Sequence, residues 1–154
     1  KQVDVDSSLS GLGGKCGHVF YTEQWPKFIT DLSLTITHLE MFNILIATRL
    51  WAPLWAHQTV NLGCDNQASV AVLQSSKSRD RILAACAKQI WQFATVNDFS
   101  LAPFHRSGTE MQAIGVDALS RFHTSARFQN IVQDLARSGT RIRIPIGLFA
   151  LPPF

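Results

Sequence analysis

Four acidic residues, Asp6, Glu40, Asp65 and Asp117, follow one another in the order Asp, Glu, Asp, Asp, and each stands where a predicted strand or helix meets a turn. Their local words are QVDVDSSLSGLGG, ITHLEMFNILIA, VNLGCDNQASVAVL and APFHRSGTEMQAIGVDALSR. Carboxylates are hard oxygen ligands, and a set of them that leaves positions open to water suits Mg²⁺ or Mn²⁺. Two such ions about 3.5 to 4 Å apart can clamp the attacking and leaving oxygens of a phosphoryl displacement. Each acid also has a purely structural reading. Glu40 can serve as capping partner to Thr37, Asp65 as a helix cap or Asx turn, Asp117 as a charge favoured at a helix N-terminus, and Asp6 as a strand-end surface charge. Asp4 lies two residues before Asp6, on the same strand face, and rivals it as the first ligand. The S-S-L-S-G that directly follows Asp6 favours Asp6.

The elements that must position these acids follow from pattern. VDVD, CGHVFYT and LSLTIT read as an antiparallel meander, with GLGGK as a tight connection and EQWPKFITD as a longer one. Thr37 and Glu40 form a T-x-x-E capping pattern, and LEMFNILIATRLW is apolar on nearly every side, so a buried helix is expected to start at Thr37 and to end at Pro53. TVNLGC suits a strand, DNQASVAVLQ opens a short helix beside Asp65, and a longer helix runs from about Asp80 to Val96. FSLAPF is the last of five strands, and Pro103 suits an edge or strand-end position. HRSGTEMQAIG reads as a polar loop, VDALSRF as a short helix carrying Asp117, and QNIVQDLARSG as a helix stopped by Gly139. The expectation is an α/β domain with a mixed five-stranded sheet, antiparallel meander plus parallel strands, flanked by helices.

Composition bounds the rest. At 46% hydrophobic the chain is too apolar to be disordered, and it is long enough for one domain with a substantial core. Residues 1–122 form the expected catalytic domain, and 123–154 a basic, Pro-containing extension or linker that ends in TRIRIPIGLFALPPF. Charge is uneven: residues 1–120 carry nine Lys/Arg against ten Asp/Glu, whereas 121–154 carry five Arg and only Asp134. No apolar run reaches the roughly 18 residues that span a bilayer, and KQVDVDSS lacks the apolar stretch of a signal peptide, which points to a soluble setting inside the cell, cytoplasmic or nuclear. Cys16, Cys64 and Cys86 include no C-x-x-C pair and read as reduced, packing thiols rather than zinc ligands. Trp51, Trp55 and Trp91 lie in apolar helical segments and read as core, while Trp25, beside Pro26 and Lys27, keeps a claim to base stacking.

The blocks D-S-S-L-S-G-L-G-G, H-L-E-M-F-N-I-L-I-A, C-D-N-Q-A-S-V-A-V-L and H-R-S-G…V-D-A-L-S-R resemble, in succession, the ribonuclease H domain of retroelement reverse transcriptases. The likeness is nearest to DIRS-type (tyrosine-recombinase) retrotransposons, with hepadnaviral polymerases more distant, and it covers residues 2 to 122. It implies a ribonuclease H-like fold and metal-dependent endonucleolytic cleavage of the RNA strand of an RNA–DNA hybrid, with a fused reverse transcriptase as partner. By position, Asp6 would bridge two Mg²⁺ or Mn²⁺ ions, Glu40 and Asp65 would complete the leaving-group side, and Asp117 would serve the attacking water. His105, at the start of the loop before Asp117, would assist proton transfer or product release. The other histidines have weaker claims.

The chain departs from the family at three points. Met111 stands where the loop often has Asn, Leu12 where a Trp is frequent, and no basic insertion separates the two middle helices. A catalytically silent connection domain that only positions nucleic acid or a partner is the competing reading, and the complete acidic set argues against it.

Overall fold

The computed structural model describes residues 1–154. Six strands, β1 (Gln2–Ser7), β2 (Gly11–Cys16), β3 (Val19–Gln24), β4 (Thr59–Cys64), β5 (Ser100–His105) and β6 (Thr140–Arg141), form one sheet in the order β5-β4-β1-β2-β3-β6. β1, β2 and β3 are the antiparallel meander, and β4 pairs parallel with both β1 and β5. The sheet has one strand more than the expected five, and β6, two residues, pairs parallel with the outer edge of β3. β5 is the other edge, where Pro103 removes no ladder hydrogen bond that the sheet needs.

The meander is built from different residues than the pattern suggests. GLGGKC is a strand rather than a connection, and Gly17 (φ +62°) makes the turn into β3. The glycines of β2 are there for close approach. A Cβ at Gly13 would overlap the Leu119 side chain, and one at Gly14 would overlap the Tyr21 ring. LSLTIT is no strand: Leu32 and Ile36 are exposed, Ser33 has φ +53°, and a helix begins within the segment.

Seven helices cover the sheet: α1 (Lys27–Thr30), α2 (Ile36–Trp51), α3 (Gln67–Ser75), α4 (Arg81–Asn97), α5 (Gly108–Ala113), α6 (Val116–Arg121) and α7 (Ala126–Ser138). The cap of α2 is Thr35, not Thr37: Thr35 Oγ1 accepts the His38 N–H while His38 Nδ1 accepts the Thr35 N–H. Glu40 is thereby free of any capping role. α2 is apolar all round and buried, and a single 3₁₀ turn containing Pro53 follows it. α5 forms inside the segment expected as a loop, with Ser107 as its cap.

Phe20 and Tyr21, neighbours on β3, point to opposite faces of the sheet. Tyr21 joins the main core with residues of α2 and α4, whereas Phe20 packs with Ala118 and Leu119 of α6 and Val132 of α7. Residues beyond α7 return to the main core. Ile144 and Phe149 belong to it, and Arg49 on α2 donates to the Leu148 and Ala150 carbonyls. Trp25, only 4% exposed, stacks on Phe42 and donates to Ser8 O, so it offers no face to a base. No helix is long and apolar enough to cross a membrane.

Candidate active site

Parallel pairing of β1 with β4 sets the ends of these two strands side by side, about 4.8 Å apart as in any sheet. Asp6 stands near the end of β1 and Asp65 directly follows β4. Glu40, one turn into α2, points toward the same place. The Ser7 N–H sits between two carboxylates, 2.9 Å from Glu40 Oε1 and 3.1 Å from Asp6 Oδ1. The Cys64 thiol donates to Glu40 Oε2 at 3.4 Å, and single donor atoms of Glu40, Cys64 and Asp65 lie within 4.8 Å of one another. His105, at the end of β5, places Nε2 3.2 Å from the Asp65 carbonyl oxygen.

Asp6 and Glu40 are 2% and 1% exposed, yet the three acids open into one cleft of about 600 Å³. Its walls include Ser7, Ser8, Asn66 and Arg121, with Leu9 and Ile36 as apolar flanks. A slightly larger hollow of about 670 Å³ lies on α4 beside Trp91 and Val96, but it holds no carboxylate or histidine with which to do this chemistry. Asp117, in the first turn of α6, lies close enough to raise the proton affinity of Asp6 and Asp65. Its carboxylate takes Arg121 Nε at 3.2 Å, and both side chains line the adjoining hollow against α7. Of the five expected site residues, Asp6, Glu40 and Asp65 thus meet at the floor, and Asp117 and His105 lie beside them.

Asp4 belongs elsewhere. It is 6% exposed and ion-paired at 2.9 Å with Arg106.

The electrostatics of the floor are those of charges lacking a counter-charge. Burial, followed by the charges of Glu40, Asp65 and Asp117, pushes the Asp6 carboxyl up to about 10. Burial and then Asp65 push Glu40 up to about 8, against the opposing pull of the Ser7 N–H. Asp65 is raised as well, chiefly by burial. Asp6, Glu40 and Asp65 take part in none of the ion pairs of the molecule. A cluster of desolvated hard oxygen donors with no ion-pair partner fits divalent cations of the Mg²⁺ type, whose charge would reverse these shifts.

Three groups at the site escape a reading of the sequence. Cys64 looks like packing although it touches Glu40, and its place just before Asp65 in C-D-N-Q is the signal that could have raised it. Arg121 could have been paired with Asp117 from their four-residue spacing on a helix. Asn43 donates Nδ2 to Asp6 O and Gly13 O, a tie between distant segments that no local pattern announces.

No family model and no curated protein matches the chain. Among solved structures, it is similar to the crystal structure of RNase H1 from the halophilic archaeon Halobacterium salinarum NRC-1, with a TM-score of 0.58 at 15% sequence identity over 80% of this chain and 96% of that one. At that identity the likeness speaks for the fold. The mixed sheet with helices on both faces is ribonuclease H-like.

Proposed function

We propose that this ribonuclease H-like domain is a metal-dependent endonuclease that hydrolyses the RNA strand of RNA–DNA hybrids, working within a retroelement reverse transcriptase. The observation that carries the reading is the convergence of Asp6, Glu40 and Asp65 in one cleft, none of them held in an ion pair, with Asp117 and His105 beside it. The retroelement setting and the fused polymerase partner rest on the motif blocks, from D-S-S-L-S-G-L-G-G to V-D-A-L-S-R.

Asp6, Glu40, Asp65 and Asp117 are the residues that would hold two Mg²⁺ or Mn²⁺ ions. Bound there, such ions supply Lewis acidity to the scissile phosphate and lower the pKa of a coordinated water. The chain's own groups provide orientation. The Ser7 N–H fixes Asp6 and Glu40 relative to each other, and Asn43 fixes the backbone of Asp6. Arg121, on the wall of the cleft, can turn its remaining N–H groups to a phosphate oxygen while Nε stays on Asp117. His105 can take or deliver a proton at the cleft edge. Hybrid would be distinguished from duplex DNA by its 2′-hydroxyls and minor-groove shape.

The test is end-labelled hybrid, duplex DNA and duplex RNA side by side, with Mg²⁺, Mn²⁺ or excess chelator. Cutting of the RNA strand in hybrid alone, and only with metal, is the expected result. Equal cutting of duplex DNA would overturn the assignment. Binding of hybrid without cleavage under any metal would instead support the silent connection domain.

A further inference from the structure

Asp4 and Arg106 lie outside the proposed chemistry, yet the fold goes to some length to join them. Asp4 is on β1, Arg106 directly follows β5, and β4 runs between these strands. The pair crosses over β4 at Gly63. A Cβ at Gly63 would overlap Asp4 Oδ1 and would come within 3.1 Å of both Arg106 Nε and the Phe104 ring. Arg106 Nε stands 2.9 Å from Asp4 Oδ1 with its N–H off the line of contact, so charge more than an aligned hydrogen bond holds the pair. The guanidinium also rests 5.4 Å from the Phe104 ring centroid and reaches Glu110 on α5 at 3.7 Å. Gln2 donates to the same Asp4 oxygen at 3.0 Å. The Arg106 N–H donates to Cys64 O at 2.9 Å, so backbone and side chain are both fastened beside the residue that precedes Asp65.

Arg106 sits between His105, which contacts Asp65 O, and the segment that runs through α5 to Asp117 on α6. We propose that the Asp4–Arg106 pair, bridging β1 to the end of β5 across Gly63, is a positioning clamp that holds His105 and the α5–α6 segment in register with Asp6 and Asp65. A buried ion pair is a poor source of net stability, but breaking one leaves an uncompensated charge, which suits a device that specifies one geometry. Asp4 is a positioning residue for the reaction, acting through Arg106 and never touching substrate.

The kinetic part of the test rests on the hybrid-cleavage reading, and a second readout does not. In steady-state cleavage of hybrid, Asp4→Asn, Arg106→Gln and Gly63→Ala should each lower kcat by about 10-fold or more with KM nearly unchanged, as misplacement of reacting groups does. The double variant Asp4→Asn/Arg106→Gln should lose no more than the worse single one, because both remove one interaction. Amide hydrogen exchange is followed in parallel on the metal-free full chain. Residues 106–117 should exchange faster by a similar factor in all three single variants, while the strands β1 and β4 stay protected. Multiplying kcat losses in the double variant, a loss carried by KM, or unchanged exchange in 106–117 would each overturn the clamp. If Asp4→Asn fails to fold, Gly63→Ala and Arg106→Gln answer the same question. A wild-type chain that does not cut hybrid, yet shows the exchange response in the variants, would sink the nuclease reading and leave the clamp standing.

Discussion

Tyr21 donates its phenolic O–H to Asn43 Oδ1 at 2.5 Å, fully buried between β3 and α2. Through that contact a polar network runs under the site, because Asn43 Nδ2 in turn holds Asp6 O and Gly13 O. Asn43 lies one turn beyond Glu40, so a single side chain fixes the helix that carries one acid against the strand that carries another.

Asn43→Ala should therefore damage both stability and activity. It strands the Tyr21 hydroxyl and removes one donor from each of two backbone carbonyls, and a buried polar group left unpaired costs about 1 to 3 kcal/mol. Urea titration should show a loss of at least about 2 kcal/mol, with Tyr21→Phe losing less because only Asn43 Oδ1 is left without its donor. Equal stability of Asn43→Ala and wild type would mean that the network is not what ties α2 to β1.

The metal-free protein should have an inverted pH response. Asp6 and Glu40 are raised in the folded state to about 10 and about 8 from 3.8 and 4.5, so folded protein binds more protons than unfolded protein across that interval. Stability from these groups is fully present below about pH 4 and is lost as pH rises through 8 toward 10. In chelator, Tm should fall between pH 6 and pH 9 by several degrees more than in Asp6→Asn, at about 2 to 4 °C per kcal/mol for a chain of this size. Mg²⁺ at pH 8 should raise the wild-type Tm and leave Asp6→Asn nearly unmoved.

How far the sequence reveals this fold depends on how local each cause is. TVNLGC as a strand, the long helix from about Asp80 and the edge position of Pro103 are local signals, and all three appear as read. GLGGKC hides its strand because its glycines answer to Leu119 on α6 and to Tyr21, contacts that no window of neighbouring residues contains. Thr35 and Thr37 both offer a hydroxyl to cap α2. Thr35 caps the helix, and the Thr37 hydroxyl instead accepts Asn66 Nδ2 at the start of α3. Asp4 and Asp6 share a strand face, and only the distant Arg106 separates their roles. Asp6, Asp65 and Asp117 stand out in the sequence because they lie at or beside the ends of elements, whereas Glu40 sits one turn into α2 and Cys64 and Asn43 act through contacts between α2 and the strands.

Substitution of the floor should separate charge from fold. Asp6→Asn, Glu40→Gln and Asp65→Asn should each abolish hybrid cleavage, and Asp117→Asn should do the same, while circular dichroism stays native. Ca²⁺ in place of Mg²⁺ should suppress turnover, because its looser coordination at about 2.3 to 2.6 Å misplaces the reacting water. Full activity in Asp6→Asn would remove that residue from the site.

His105→Ala should slow cleavage without ending it. General acid–base help is typically worth about 10² to 10⁴-fold, and a group at the edge of the cleft should sit at or below the lower end. A loss as complete as that of Asp65→Asn would make His105 a ligand or a structural prop of the Asp65 backbone.

The basic C-terminal segment calls for point variants rather than removal. Residues 123–154 carry four of the five arginines beyond residue 120, and deleting them would be the direct test of a grip on phosphate. Ile144 and Phe149 lie in the main core, however, and losing a large buried side chain costs about 2 to 5 kcal/mol. Truncation after Phe122 should therefore unfold the protein or nearly so, and any loss of binding would say nothing about contacts. Arg141 and Arg143 are better probes. They line a hollow of about 330 Å³ with Thr22, Gln24 and His123; Arg141 donates to Thr22 O and lies 5.3 Å from the Phe122 ring centroid, and Arg143 pairs with Glu23. Each guanidinium keeps further N–H donors for a phosphate. Arg141→Gln/Arg143→Gln should fold, and if both arginines touch the backbone of the hybrid, the slope of log affinity against log salt should fall by about 2. Affinity should drop equally for hybrids of different sequence, since phosphate contacts carry no base information. An unchanged slope with unchanged affinity would leave the segment as a brace on β3 and α2, with no part in holding nucleic acid.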